Sequence, residues 1–143
     1  MQDMNCVFCR IFDGKIPAKV VARNGEALAV LDAFPLAAGH TLVISKSHSS
    51  KVQDLDGKES QGVFELACRV APAVEKATGA PSTIIAVHNG KEAGQEIPHV
   101  HVHIIPRRRG DGAGPVHSMF RERPDSGSLD MESICSKISS HIS

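Results

Sequence analysis

The 143-residue chain has no tryptophan and no tyrosine, and phenylalanine occurs only five times. So few flat rings argue against a platform that stacks single-stranded nucleic acid bases. An excess of charge of one sign is missing as well: 16 Lys and Arg balance 16 Asp and Glu. No net field would draw the chain toward a polyanion or an acidic membrane. The run Arg107–Arg109 is a local exception and reads as a solvated loop or a phosphate contact. No stretch approaches the ~18 consecutive apolar residues of a membrane span. The N-terminal MQDMNCVFCR lacks the apolar core of a secretory signal. With no such signal, the four cysteines read as thiols or metal ligands rather than disulfides, and a cytoplasmic location is expected.

What is present is enough for one domain: 41% apolar residues, with no repeat and no low-complexity stretch. Cys6–Phe12 reads as a short helix stopped by Asp13-Gly14. The apolar runs 19–23 and 27–32 flank Asn24-Gly25, a hairpin signal because both residues tolerate positive φ. HTLVIS at 40–45 is a β-branched third strand. Residues 59–78 repeat apolar positions every three or four residues, so a long helix is expected, with a kink or break at Pro72. Strands follow over 82–88 and 98–106. The segment from Gly110 reads as loop, then a terminal helix within 128–142. Hairpin linkage favours an antiparallel sheet with a helix on one face, an α+β fold. One main helix covers five strands poorly, so a homodimer is expected to bury the remainder.

The sequence PHVHVHIIPRR places His99, His101 and His103 on alternate positions. In a strand they share one face, while Val100, Val102 and Ile104 point into the core. A merely solvated face would mix Thr, Lys, Glu and Ser. Two chemical readings remain. His-x-His supplies two nitrogen ligands in several zinc enzymes. A neutral imidazole is also a competent nucleophile toward phosphorus, with flanking rings donating to phosphate oxygens or to the leaving group. The glycine-bearing turn Gly90–Gln95 just before the strand favours the second reading, because its backbone N–H groups and Gln95 can face a phosphate.

Four blocks, CVFCRIFDGKIPAKVV, VLDAFPLAAGHTLVISKSH, NGKEAGQ and HVHVHIIPR, together resemble the histidine triad superfamily of nucleotide hydrolases and transferases, in its Hint-like branch. The resemblance covers about residues 6–107. It implies a five-stranded antiparallel sheet with one main helix and a short N-terminal helix, in a homodimer: a single domain with its core at about 6–109 and a tail over 110–143. By the same resemblance His101 is the nucleophile that forms a nucleotidyl-histidine, His103 contacts phosphate oxygen, and His99 orients His101 partly through its carbonyl. His40 supports the triad, or is a core histidine bonded to backbone. Asp32 holds the ribose hydroxyls, or caps the turn before Phe34-Pro35. Phe8, Ile16, Val30 and Leu31 form an apolar slot for a purine. Gly94 and Gln95 contribute to the phosphate pocket. Chemistry of this kind needs no catalytic metal.

Two positions depart from the family pattern. His88 stands where Asn or Gln is common, and the neighbouring Asn89 is a substitute that strand alternation would face the other way. Glu96 stands where Ser or Thr is common, and is expected to turn away from the phosphate while His88 takes over as a donor.

Cys6-x-x-Cys9 has zinc-ligand spacing. A thioredoxin-like pair is disfavoured by its context, and two buried thiols are the plain alternative. The resemblance implies His48 and His99 as the remaining ligands of a structural zinc. Cys68 and Cys135 read as core or surface thiols. The expected function is hydrolysis or transfer at the α-phosphate of purine nucleoside monophosphate derivatives such as phosphoramidates. Alternatives are a dinucleoside polyphosphate hydrolase like the Fhit branch, a non-catalytic zinc-stabilised nucleotide-binding module, and a metalloenzyme with metal on the triad. No nucleic acid or membrane partner is expected.

Overall fold

A computed structural model describes residues 2–142. Five strands, β1 (Val20–Arg23), β2 (Ala27–Leu31), β3 (Thr41–Ser45), β4 (Ser82–Ala86) and β5 (His101–Arg107), form one antiparallel sheet in the order β1-β2-β3-β5-β4. The α+β class and the strand count agree with the sequence reading.

The first hairpin forms, but around a different turn. Neither Asn24 nor Gly25 has a positive φ. The Asn24 amide donates to the Ala27 carbonyl, and Asn24 Oδ1 accepts from the amides of Glu26 (2.9 Å) and Ala27 (2.8 Å). The bend therefore lies at Gly25-Glu26, with the Asn24 side chain supplying what left-handed backbone was expected to supply.

Helix α2 (Gly57–Thr78) starts two residues earlier than its periodicity suggested. Asp56 and Glu59 form a reciprocal capping box there, a device worth about 1 kcal/mol. The helix runs through Pro72 without the expected break; Gly79, at φ 71°, closes it. Val63, Leu66, Val70 and Val74 press on Ala29, Val43, Val102 and Ile104 of the sheet. Val100 joins this core, so the alternation read across 100–104 holds.

The opposite sheet face is covered by more than expected. Helix α1 (Val7–Phe12) lays Phe8 and Cys9 on Leu28, Val30, Leu42 and Ile44. Strands β2 and β3 are thus buried on both sides without a second subunit. Past the edge of α1 this face stays open as a cleft.

The chain divides into two compact units, with the boundary between Arg109 and Gly110. The second unit contains two short 3-10 turns and helix α3 (Met131–Ser140), capped by the Asp130 carboxylate accepting from the Ser133 amide. No helix among the described residues is long and apolar enough to cross a membrane.

Candidate active site and metal centre

Strand β5 begins at His101, not at residue 98, so only His101 and His103 of the three alternating histidines lie in it. His99 precedes the strand and is fully buried. Its Nε2 lies 2.7 Å from the Ser45 carbonyl. A carbonyl only accepts, so Nε2 carries the proton and Nδ1 holds the lone pair. That Nδ1 is 3.5 Å from both Cys6 Sγ and Cys9 Sγ. His48 Nδ1 is 3.4 Å from Cys9 Sγ. The four ligand atoms all lie within 4.8 Å of one another. Zinc bonds of ~2.3 Å to sulfur and ~2.0–2.1 Å to nitrogen, at a tetrahedral angle, put the two donors ~3.5 Å apart. The spacing of these side chains fits that ion.

Burial pushes the Cys9 thiol up, with the Asp3 amide working against it. Asp3 was not anticipated. Its amide donates to Cys9 Sγ at 3.2 Å, and its carboxylate lies 3.8 Å from His48 Nε2, leaving Nδ1 toward the sulfurs. Nothing in the local sequence marks Asp3, because its role arises only when residue 48 folds back on it.

His40, His88, His101 and His103 line the cleft, and hydrogen bonds set the protons of His40, His101 and His103. His101 Nδ1 donates to the His99 carbonyl at 2.7 Å, which leaves the Nε2 lone pair free. The ring borders the cleft and is 8% exposed, reachable at its edge. Phe8 stands edge-on to it at 4.8 Å. Burial is the largest cause holding the His101 pKa below the ordinary value.

His40, almost fully buried just after Gly39, accepts the Leu36 amide at Nδ1 (3.1 Å). Its Nε2 therefore carries the proton and donates to His103 Nδ1 at 2.9 Å. His103 in turn keeps its proton on Nε2, a buried atom with no hydrogen-bond partner among the described residues. Burial, reinforced by His101, His40 and His88, lowers the His103 pKa to about 4. The chain Leu36–His40–His103 thus ends in a neutral N–H donor beside the His101 lone pair; the two rings are 5.0 Å apart. Asp32, His40 and His103 also cluster closely enough to suggest a second metal site. With the Leu36 amide on Nδ1, however, metal on His40 Nε2 would require an imidazolate.

The cleft has a volume of about 1000 Å³, at the upper end for small-molecule sites. Phe8, Ile16, Val30 and Leu31 line one end of it, as the sequence reading grouped them. Asp32 Oδ1 accepts the Phe34 amide at 2.9 Å, the turn role weighed for it, while Oδ2 lies 3.5 Å from His40 Nε2 and the residue still borders the cleft.

His88 and Gly94 line the other end. Asn89 and Gln95 do not. Asn89 accepts the Val52 amide and donates to Gln53, and Gln95 donates to the Ser50 carbonyl at 2.7 Å. The amides of Gly94 and Gln95 are spent on Lys91 and Gly90 within their own turn. The role expected of Gln95 and Asn89 is therefore not available to their side chains as placed. Glu96, expected to turn away, is exposed and lines the cleft. Outside the cleft, Cys68 and Cys135 are exposed thiols.

Residues 13–110 match the HIT domain, a profile that spans more than half of the chain. The chain belongs to the HIT family. HIT proteins are nucleotide hydrolases and transferases. An uncharacterized HIT-like protein of Methanocaldococcus jannaschii is 43% identical over 107 residues, 75% of this chain and 82% of that one. The adenylylsulfatase HINT3 of Arabidopsis thaliana is 36% identical over 117 residues, 82% of this chain and 59% of its own. The crystal structure of a Zn-bound histidine triad family protein from Mycobacterium smegmatis aligns at 35% identity with a TM-score of 0.73, covering 96% of this chain and 98% of that one.

Proposed function

We propose that this HIT protein hydrolyses purine nucleoside monophosphate derivatives, phosphoramidates foremost, at the α-phosphorus. The observation that carries the reading is the His101 Nε2 lone pair, held free by the His99 carbonyl beside the unpartnered His103 N–H. His101 Nε2 forms a bond to phosphorus, and the bond from phosphorus to the leaving nitrogen breaks. The leaving group departs with that electron pair and one proton drawn from solvent. Water then attacks the nucleotidyl-histidine; the Nε2–phosphorus bond breaks, the monophosphate leaves, and the water's proton returns to solvent. His103 Nε2–H donates to a phosphoryl oxygen as charge builds there. Asp32 Oδ2 accepts from the ribose, and the apolar slot takes the base.

A structural zinc on Cys6, Cys9, His48 and His99 belongs to this reading, supported by the donor spacing and by the zinc-bound relative. It would tie α1, and with it Phe8, to the segment whose carbonyl holds His101. Cys6 and Cys9, buried and not joined in a disulfide, accord with a reducing, cytoplasmic setting. A homodimer through the open edge of the sheet completes the reading.

The test is incubation with an adenosine phosphoramidate and with a diadenosine polyphosphate, each with and without EDTA, for the parent and His101→Ala. Turnover of the first, unaffected by brief chelation and reduced at least ~10³-fold in the variant, is expected. Equal turnover by parent and variant excludes covalent catalysis at His101. Turnover of the polyphosphate alone moves the activity to the dinucleoside class.

A further inference from the structure

Glu96 is the residue the sequence leaves unexplained and the fold puts to use. The strand order β1-β2-β3-β5-β4 sets the two ends of the cleft on opposite sides of His101. The apolar slot is built on α1, the segment leading into β1, and β2; the turn that follows β4 supplies His88, Gly94 and Glu96 at the far end. A nucleotide whose base fills the slot and whose phosphorus meets His101 therefore sends its second substituent toward Glu96.

The surroundings leave that carboxylate unneutralised. Gln95, its neighbour, is buried and anchored on Ser50, so the turn is pinned from behind while Glu96 stays exposed on the cleft wall. Among the described residues Glu96 forms no ion pair. Among the described residues, and apart from histidine, Lys19 and Asp32 are the other charged residues lining the cleft. Lys19 sits at the slot end, where its carbonyl takes the Leu31 amide, and Asp32 is engaged by Phe34 and His40. His103 Nδ1 accepts from His40 Nε2, the bonding of a neutral ring, so His103 does not cancel the charge.

We infer that Glu96 is a specificity-determining residue that selects leaving groups carrying a positive charge, amines with a second ammonium, and repels anionic ones such as a polyphosphate chain. This rests on the proposed hydrolysis and adds the leaving-group class to it. Fixed negative charge at the exit of the cleft discriminates by attraction and repulsion together, which serves selection better than attraction alone.

The experiment compares three adenosine 5′-phosphoramidates, made from 1,4-diaminobutane, pentylamine and 5-aminopentanoate. For each protein, kcat/KM is normalised to the neutral pentylamine compound, which removes differences in folded fraction. In the parent, the ammonium compound is expected to exceed the carboxylate compound by about tenfold. That ratio should fall below about threefold in Glu96→Gln and invert in Glu96→Lys. An unchanged ratio in Glu96→Gln overturns the inference. Equilibrium binding of the same compounds to His101→Ala, with and without Glu96→Gln, separates the two claims. A Glu96-dependent binding order without parent turnover keeps the selector and removes the hydrolase. Turnover with a binding order and a kcat/KM ratio indifferent to Glu96 does the reverse.

Discussion

His99 serves two neighbours at once: its ring faces the cysteines, and its carbonyl holds the proton of His101. The same economy recurs at His40, where one nitrogen takes a main-chain amide and the other fixes the tautomer of His103. Each ring is neutral because it is buried, so protonation works against the fold. His99, like His103, has its pKa lowered to about 4, with burial as the first cause. An unfolded histidine titrates near ~6.5, so the unfolded chain gains protons first on acidification. The stability these rings contribute is complete above pH ~6.5 and is lost as pH falls toward about 4. For the fully buried His99 the loss is on the order of 3 kcal/mol. Urea melts of EDTA-treated protein between about pH 7.5 and 4.5 should show a steadily falling midpoint. A midpoint that is flat or rises on acidification contradicts this account. The His99 carbonyl on His101 was implied by the family resemblance; the pairings with the carbonyl of residue 45 and the amide of residue 36 were not legible, because main-chain groups carry no side-chain signature.

At the scale of elements, α1 is the piece with least support of its own. It has six residues and no side-chain cap, too short to persist in isolation. It stays because Phe8 packs on the sheet and because Cys6 and Cys9 lie against His99. Metal on that cluster would therefore stabilise α1 and, through Phe8, one wall of the cleft. Cys9→Ser is expected to abolish bound zinc in elemental analysis and to lower Tm by several degrees, the effect of a few kcal/mol in a domain of this size. A parent protein that carries no zinc when purified without chelator removes the proposal. Helix α2 was legible from its apolar spacing, but not its continuity. Pro72 removes one hydrogen bond, yet Ala71 just before it and Val74 two residues after it are packed in the core against the sheet, and tertiary packing outweighs the local cost.

For the molecule as a whole, the open question of coverage has moved from the sheet face to the sheet edge. Strand β4 is an outer strand bonded only to β5, and Ile85 on it is 48% exposed. An edge of this kind invites pairing with a second chain. Sedimentation equilibrium should give twice the 15.2 kDa of the chain. A single-chain mass at micromolar concentration refutes the dimer. The balanced overall charge hides a local imbalance at the far end of the cleft, which is where the substrate preference argued for Glu96 arises.

The sequence by itself determined the α+β class and the alternation that puts Val100, Val102 and Ile104 in the core, while the grouping of the apolar slot came from the family resemblance. The first two follow from periodicity and hairpin signals, which are local properties of the chain. Tertiary structure alone decided that His99 leaves the strand for the cysteines, that Gln95 and Asn89 turn their side chains elsewhere, and that Glu96 borders the cleft. Side-chain direction at a turn depends on which distant polar group is near enough to bond. That distance exists only after residues 45, 50 and 52 have been brought beside residues 89–101 by the pairing of β3 with β5.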